Sequence, residues 1–140
     1  MSSLKSITER VSRNGNPDDP STPRPLLTLD EFFEGNDVVG SICCNLYPCP
    51  EPPEVHRVLQ EIERREDVSA VYVQITAFDD PSWPFSDTVW VFTSADSDTV
   101  ASWLPEHVAP NDVWDGWIDS QPYEAVPLPD GMKPVAIWWD

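Results

Sequence analysis

Three cysteines, Cys43, Cys44 and Cys49, fall within seven positions, and two histidines, His56 and His107, follow them. A thiol beside an imidazole is the composition of a nucleophile with its base. Nothing local orients such a pair here, because no glycine-framed nucleophile elbow surrounds the thiols. There is no Cys-x-x-Cys, and the histidines do not complete a zinc spacing. Read as strand neighbours, Cys43 and Cys44 point to opposite faces and do not ligate one metal together. Cys44 is then expected as a buried structural cysteine. His56 borders the apolar stripe of a helix and His107 sits near a helix end, where a cation suits the dipole.

Carboxylates occur in pairs: Asp79 with Asp80, Asp96 with Asp98, and Asp112 with Asp115. A glycosidase-like pair needs two carboxyls about 5 to 10 Å apart in a cleft. Residues 25–140 hold 22 acids, so sequence neighbours of this kind arise by chance. Asp96-x-Asp98 and Asp112-x-x-Asp115-Gly116 are fragments of a calcium loop, but neither has the twelve-residue pattern with its terminal glutamate. Neither a phosphate-binding Gly-x-x-x-x-Gly-Lys nor a Gly-x-Gly-x-x-Gly nor a His-Glu-x-x-His is present. With five glycines in the whole chain, a cradle of backbone amides is hard to build. No catalytic residue, metal or cofactor is assigned, and a non-enzymatic role is preferred to an enzymatic one.

The aromatic groups are more suggestive. Seven tryptophans in 140 residues is a high density. Trp90, Trp103 and one of Trp138 or Trp139 supply the bulk a small core needs. Trp83 lies between Pro81 and Pro84, and Trp114 and Trp117 lie three apart among acids. A rigidly presented indole is a good interface anchor. The candidate binding residues are therefore Trp83, Trp114 and Trp117 with Asp79, Asp80, Asp112 and Asp115. Indole beside carboxylate suits a cation through cation–π attraction. It equally suits a sugar, whose ring stacks on the indole while its hydroxyls donate to the acid.

The chain carries 25 acidic and 8 basic side chains, a net charge of −17. Residues 25–140 hold four bases against 22 acids, so the body alone is −18. That excess favours solubility, sets up a surface complementary to a basic partner, and argues against nucleic acid or an anionic membrane. No stretch approaches the roughly 20 apolar residues of a membrane span. The polar start lacks the apolar core of a signal peptide, and the odd cysteine count suits a reducing, cytoplasmic setting.

Residues 1–24, rich in Ser, Asn, Asp and Pro, are expected as a flexible tail, followed by one domain over 25–140. Thr28-Leu29-Asp30-Glu31 has capping-box spacing, with Leu27 and Phe32 placed as a hydrophobic staple. This predicts a short helix over 29–34, stopped by Gly35. Val38 to Tyr47 alternates and predicts a first strand. Val55, Val58, Leu59 and Ile62 form the stripe of a helix over 53–66, started by Pro52 and Pro53. Val68–Phe78 and Thr88–Thr93 alternate as strands. A second amphipathic helix runs from the cap formers Ser94–Asp98 to Val108, interrupted at Pro105. After an irregular, Trp- and Pro-rich stretch, Pro134 to Trp139 predicts a last strand.

The order strand, helix, strand, strand, helix, strand predicts an α+β fold, a ferredoxin-like βαββαβ sandwich. It would carry an extra N-terminal short helix and a Trp/Pro-rich insertion before the last strand. Its second and fourth strands would lie at the sheet edges. Such an architecture hosts many functions. The first expectation is an acidic interaction module that binds a basic protein, as an immunity protein, inhibitor or adaptor does. The alternatives are a binding protein or enzyme for a small cationic or sugar ligand on the sheet face, and a structural homo-oligomer, with a homodimer as its simplest form.

Overall fold

A computed structural model of the chain describes residues 5, 7–9, 13, 15, 22–46, 48–76, 83–117, 123–124 and 126–139. The fold is α+β, built on one antiparallel five-stranded sheet. Its strands are β1 (Leu26–Thr28), β2 (Val68–Gln74), β3 (Thr88–Thr93), β4 (Asp112–Asp115) and β5 (Lys133–Trp138). They lie in the order β1-β2-β3-β5-β4. The described helices of the domain are α1 (Leu29–Phe33), α2 (Pro52–Glu63) and α3 (Ser97–Ser102), with a 3-10 turn at Glu106–Val108.

This order differs from the ferredoxin-like arrangement, whose two split βαβ units interleave so that its second and fourth strands lie at the sheet edges; here the antiparallel sheet runs β1-β2-β3-β5-β4. The difference begins at Val38–Tyr47. The described part of that segment turns instead of extending: Ser41 N–H donates to Val38 O at 3.1 Å and Leu46 N–H to Cys43 O at 3.1 Å. Gly40 and Cys43 both take positive φ, 93° and 59°, which breaks strand alternation. Cys43 is consequently the buried cysteine and Cys44 is exposed, the reverse of the strand-based expectation. Leu26–Thr28 supplies the first strand instead, and Asp112–Asp115, inside the stretch expected to be irregular, supplies the fourth. The edges are therefore β1 and β4, while the strands expected at the edges, β2 and β5, lie inside the sheet.

Local rules hold where the signal is local. The capping box at α1 is complete: Glu31 N–H donates to Thr28 Oγ1 at 3.2 Å and Thr28 N–H to Glu31 Oε1 at 2.9 Å. Leu27 and Phe32, the staple pair, are both fully buried. Helix α2 starts at tandem prolines and buries Val55, Val58, Leu59 and Ile62. Helix α3 is capped by Asp96, whose carboxylate accepts from Thr99 N–H at 2.9 Å. That bond holds the Asp96 carboxyl below its ordinary range. Pro105 separates α3 from the 3-10 turn, since its ring cannot continue a helix.

The helices cover one side of the sheet. There the core joins Val71, Val73, Val89, Val91, Val135 and Ile137 to Leu29, Phe32, Val55, Leu59, Ile62 and Val100. Ile7, one of the helical residues described within the segment 1–24, is 2% exposed and belongs to this core. The opposite side has no helix among the described residues. A second cluster forms there from Leu26, Trp90, Phe92 and Ala136, with Tyr72, Trp114, Tyr123 and Val126 packed on it.

Candidate functional site

Strand register places the open-face side chains. Tyr72 pairs with Trp90, Trp90 with Ala136, and Ala136 with Trp114, so these four form one row across the sheet. In the adjacent row Thr88 pairs with Trp138, and Trp138 with Asp112. Successive side chains alternate between faces, which puts Gln74 and Thr88 on this side with the aromatics.

A cavity of about 170 Å³ lies there, lined by Trp114, Trp138 and Tyr123 together with the polar Arg24, Gln74, Thr76, Asp87 and Thr88. The indoles of Trp114 and Trp138 are 6.0 Å apart and tilted by 44°. Tyr123 is brought over β1 by a parallel bridge between Arg24 and Tyr123. The bridge is reinforced where Glu124 N–H donates to Arg24 O at 3.0 Å and Leu26 N–H donates to Glu124 Oε1 at 3.0 Å.

The polar lining is tied together. Thr76 Oγ1 donates to Asp87 Oδ1 at 2.7 Å, and Thr88 Oγ1 donates to the same oxygen at 2.9 Å. Arg24 Nη1 donates to Thr76 O at 2.9 Å. Trp90 Nε1 donates to Gln74 Oε1 at 3.0 Å, and Gln74 Nε2 to Thr76 Oγ1 at 3.3 Å. Only one oxygen of Asp87 takes part in these bonds, so the carboxylate is oriented with its second oxygen uncommitted to either threonine. Tyr123 differs from its neighbours: its hydroxyl is buried and makes no hydrogen bond among the described residues. Burial, followed by the opposing influences of Arg24 (lowering) and Asp87 (raising), pushes its pKa up to about 12. The phenol is therefore a neutral donor and acceptor at physiological pH.

The sequence-predicted residues are dispersed. Trp114 lines the cavity. Trp117 lies alongside it, 39% exposed, with its ring 4.7 Å from Trp90 and 5.0 Å from Tyr123. Trp83 is 6% exposed and packs in the helix-side core. Asp112 caps its own strand by accepting from Val113 N–H at 2.9 Å. Asp115 pairs with Lys133 at 2.9 Å and accepts from Ser97 Oγ at 3.1 Å, and the lysine contact holds its carboxyl below the ordinary range. Asp79 and Asp80 lie outside the described residues.

The other chemistry-bearing groups are placed elsewhere. Cys43 is buried, which pushes its thiol well up, while Cys49 donates to Cys43 O at 3.4 Å. His56 stacks on Phe33 at 4.7 Å with its Nε2 3.9 Å from Asp30. Among the described residues no three His, Cys, Asp or Glu side chains are grouped to hold a metal ion, and no helix is long and apolar enough to cross a membrane.

Alternation does place Gln74 and Thr76 on the face of Tyr72, a signal that could have found them. Asp87, Arg24 and Tyr123 carry no such signal, because only the folding of distant loops over the sheet brings them in.

No solved structure matches this chain. The family described as "Uncharacterized protein YfbO family" matches residues 2–137. The "Uncharacterized protein YfbO" of Escherichia coli (strain K12) is 45% identical over 140 residues, covering the whole of both chains. A match of that extent leaves no segment of the fold outside the likeness, and the chain belongs to the YfbO family.

Proposed function

We propose that this chain is a non-enzymatic binding protein whose ligand sits in the aromatic cavity on the open face of the sheet. One observation carries the reading: on a sheet face that no described helix covers, aromatic side chains and an oriented carboxylate line one cavity. Trp114 and Trp138 add broad apolar contact, and the Thr76–Asp87–Thr88 bonds hold a carboxylate in a set orientation. The volume is below the roughly 300–1,000 Å³ of a drug-sized site, so the occupant is one small group. Neither cysteine nor histidine is among the lining residues, so no nucleophile–base pair supports bond-making.

The reading is tested by titrating a fragment library into the protein labelled at its indole nitrogens. Ligands should shift the Trp114 and Trp138 resonances and leave Trp83 and Trp139 unmoved. Shifts confined to the other tryptophans would sink it.

The basic-partner reading finds its support elsewhere on the molecule. A second, larger concavity of about 560 Å³ runs along α2 and places Glu51, Glu54 and Glu61 beside Arg57 and His107. In a chain of charge −17, such a surface speeds encounter with a basic protein and makes the rate salt-dependent. Charge reversal at Glu54 and Glu61 should then abolish capture of that partner. Capture that is indifferent to both salt and the reversal would discard this second reading.

A further inference from the structure

We infer that Cys44 and Cys49 form a thiol-exchange site: Cys44 takes up half of a small-molecule disulfide, and Cys49 resolves it into a Cys44–Cys49 bond. The site lies on the turn before α2, and neither residue lines the open-face cavity.

Backbone geometry is the first argument. All three cysteines are free thiols. Cys43 adopts left-handed backbone, with φ at 59°, and the chain beyond it curls back. The Cys43 carbonyl is where the curl closes. Leu46 N–H donates to it at 3.1 Å, and the Cys49 thiol donates to it at 3.4 Å. That carbonyl belongs to the peptide group that joins Cys43 to Cys44. The Cys49 sulfur therefore rests against the peptide that carries Cys44. Gly40 is a neighbour of both. A β-carbon added there would lie 4.0 Å from Cys44 Cβ, and the Gly40 amide acts as a hydrogen-bonding influence on the Cys49 thiol. A short loop whose ends a hydrogen bond already holds together loses little further chain entropy on closing.

The division of labour is the second argument. Cys44 is exposed, Cys49 is partly buried, and Cys43 is 1% exposed. A solute meets Cys44 first. Burial raises the Cys49 thiol, the Gly40 amide partly lowers it, and the Cys44 charge raises it again. Cys49 thus stays protonated, as a reserve, while Cys44 reacts. Once Cys44 is capped its charge is gone, and one of the influences that held the Cys49 proton goes with it. An accessible thiol beside a second, resolving thiol is the arrangement of a reversible redox site. Cys43, whose burial raises its thiol furthest, stays out of the exchange.

The chemistry is two exchanges in sequence. The Cys44 thiolate attacks one sulfur of the small disulfide. A bond from Cys44 Sγ to that sulfur forms, the small molecule's own S–S bond breaks, and one half leaves as a thiolate. Cys49 then loses its proton to solvent and attacks Cys44 Sγ. The mixed disulfide breaks, and the second half leaves as a thiolate that takes up a proton. Two protein thiols are oxidised to one disulfide, and one small disulfide is reduced to two thiols. Excess small thiol runs both steps backwards.

The test uses the full chain in reduced form. The chain carries a net charge of −17, so the probe is a neutral disulfide, bis(2-hydroxyethyl) disulfide, which that field does not repel. Samples are quenched in acid, unfolded, labelled with N-ethylmaleimide, and read by intact mass and peptide mapping. Thermal midpoints check that each variant is folded at the reaction temperature. The wild type should pass through a mixed disulfide at Cys44. It should end with a Cys44–Cys49 bond and a maleimide on Cys43 alone. Cys49→Ser should stop at the mixed disulfide on Cys44. Cys44→Ser should slow reaction of the remaining thiols by about tenfold, because the accessible attacking group is gone. Cys43→Ala should leave the wild-type outcome unchanged. A lasting mixed disulfide in the wild type, a bond that includes Cys43, a disulfide between two chains, an unslowed Cys44→Ser variant, or no reaction would each overturn the inference.

Discussion

Toward the helices, β2, β3 and β5 present Val71, Val73, Val89, Val91, Val135 and Ile137, each no more than 1% exposed. Toward the other side the same three strands present Tyr72, Gln74, Thr88, Trp90, Phe92 and Trp138. Branched aliphatics suit the first face because a second layer, α2 above all, interlocks with them at interior packing density. The second face has no such layer among the described residues. Wide rings cover it instead, and Trp90, Phe92, Trp117 and Tyr123 lie with centroids 4.7 to 5.8 Å apart. Rings bring polar heads with them, and each head needs a partner. Trp90 finds Gln74; Tyr123 finds none among the described residues. Buried polar atoms without a hydrogen bond among the described residues occur on both sides, His56 Nε2 and Trp83 Nε1 toward the helices and the Tyr123 hydroxyl opposite, and the open face adds an aromatic cavity with an oriented carboxylate. The candidate site lies on the second.

The contrast can be broken by substitution, beginning where the effect is largest. Leu59→Ala deletes a fully buried side chain from α2 on the helix side. It should cost about 2–5 kcal/mol in denaturant unfolding. On the open face, Trp90→Phe leaves Gln74 Oε1 without its donor and thins the ring cluster. A loss of about 2 kcal/mol is expected. A loss as large as that of Leu59→Ala would make the open face a second core of equal standing and erase the distinction.

Tyr123→Phe should act in the opposite direction. Removing a buried hydroxyl that has no hydrogen-bond partner among the described residues should raise stability by about 1 kcal/mol in the absence of ligand. A loss of stability there would mean that the phenol supports the fold.

The smallest effect is a pH dependence on the helix side. Burial, partly countered by Asp30, lowers the His56 pKa below its ordinary 6.5. The unfolded chain therefore binds the proton more readily than the folded one, and stability falls as pH drops below about 6.5. Above that value both states are neutral and the penalty vanishes. His56→Phe keeps the stack on Phe33 but has no proton to take up. Unfolding of both proteins at pH 7 and pH 5 should show the wild type losing more than the variant. Equal losses would remove His56 from the pH response.

Much of the helix side was legible before any coordinates. Val55, Val58, Leu59 and Ile62 lie at helical spacing and are all buried, and Thr28 with Glu31 closes the cap it spells out. Both are short-range signals, so neighbours in the chain suffice to read them. The misreading of Val38–Tyr47 has a physical cause. Its alternation is genuine, but Gly40 and Cys43 adopt left-handed backbone, and the Ser41 carbonyl accepts from Ser86 N–H at 2.8 Å. A loop partner took the place of a strand partner. With no strand there, the split βαβ order lost its first element, and a three-residue strand too short to show a period replaced it.

Alternation, capping and the proline breaks determined which segments extend or coil and which side chains share a face, because those properties reside in a few consecutive residues. Composition determined an acidic body, because charge is additive. What only the tertiary structure decided was where the site lies. Trp83, flanked by prolines and an anchor by every local criterion, went into the core. Arg24, Asp87 and Tyr123, unremarked in the sequence, met around Trp114 and Trp138. Those meetings depend on strand order and on which loops close over a bare sheet face, and long-range pairings leave no periodic trace in the chain.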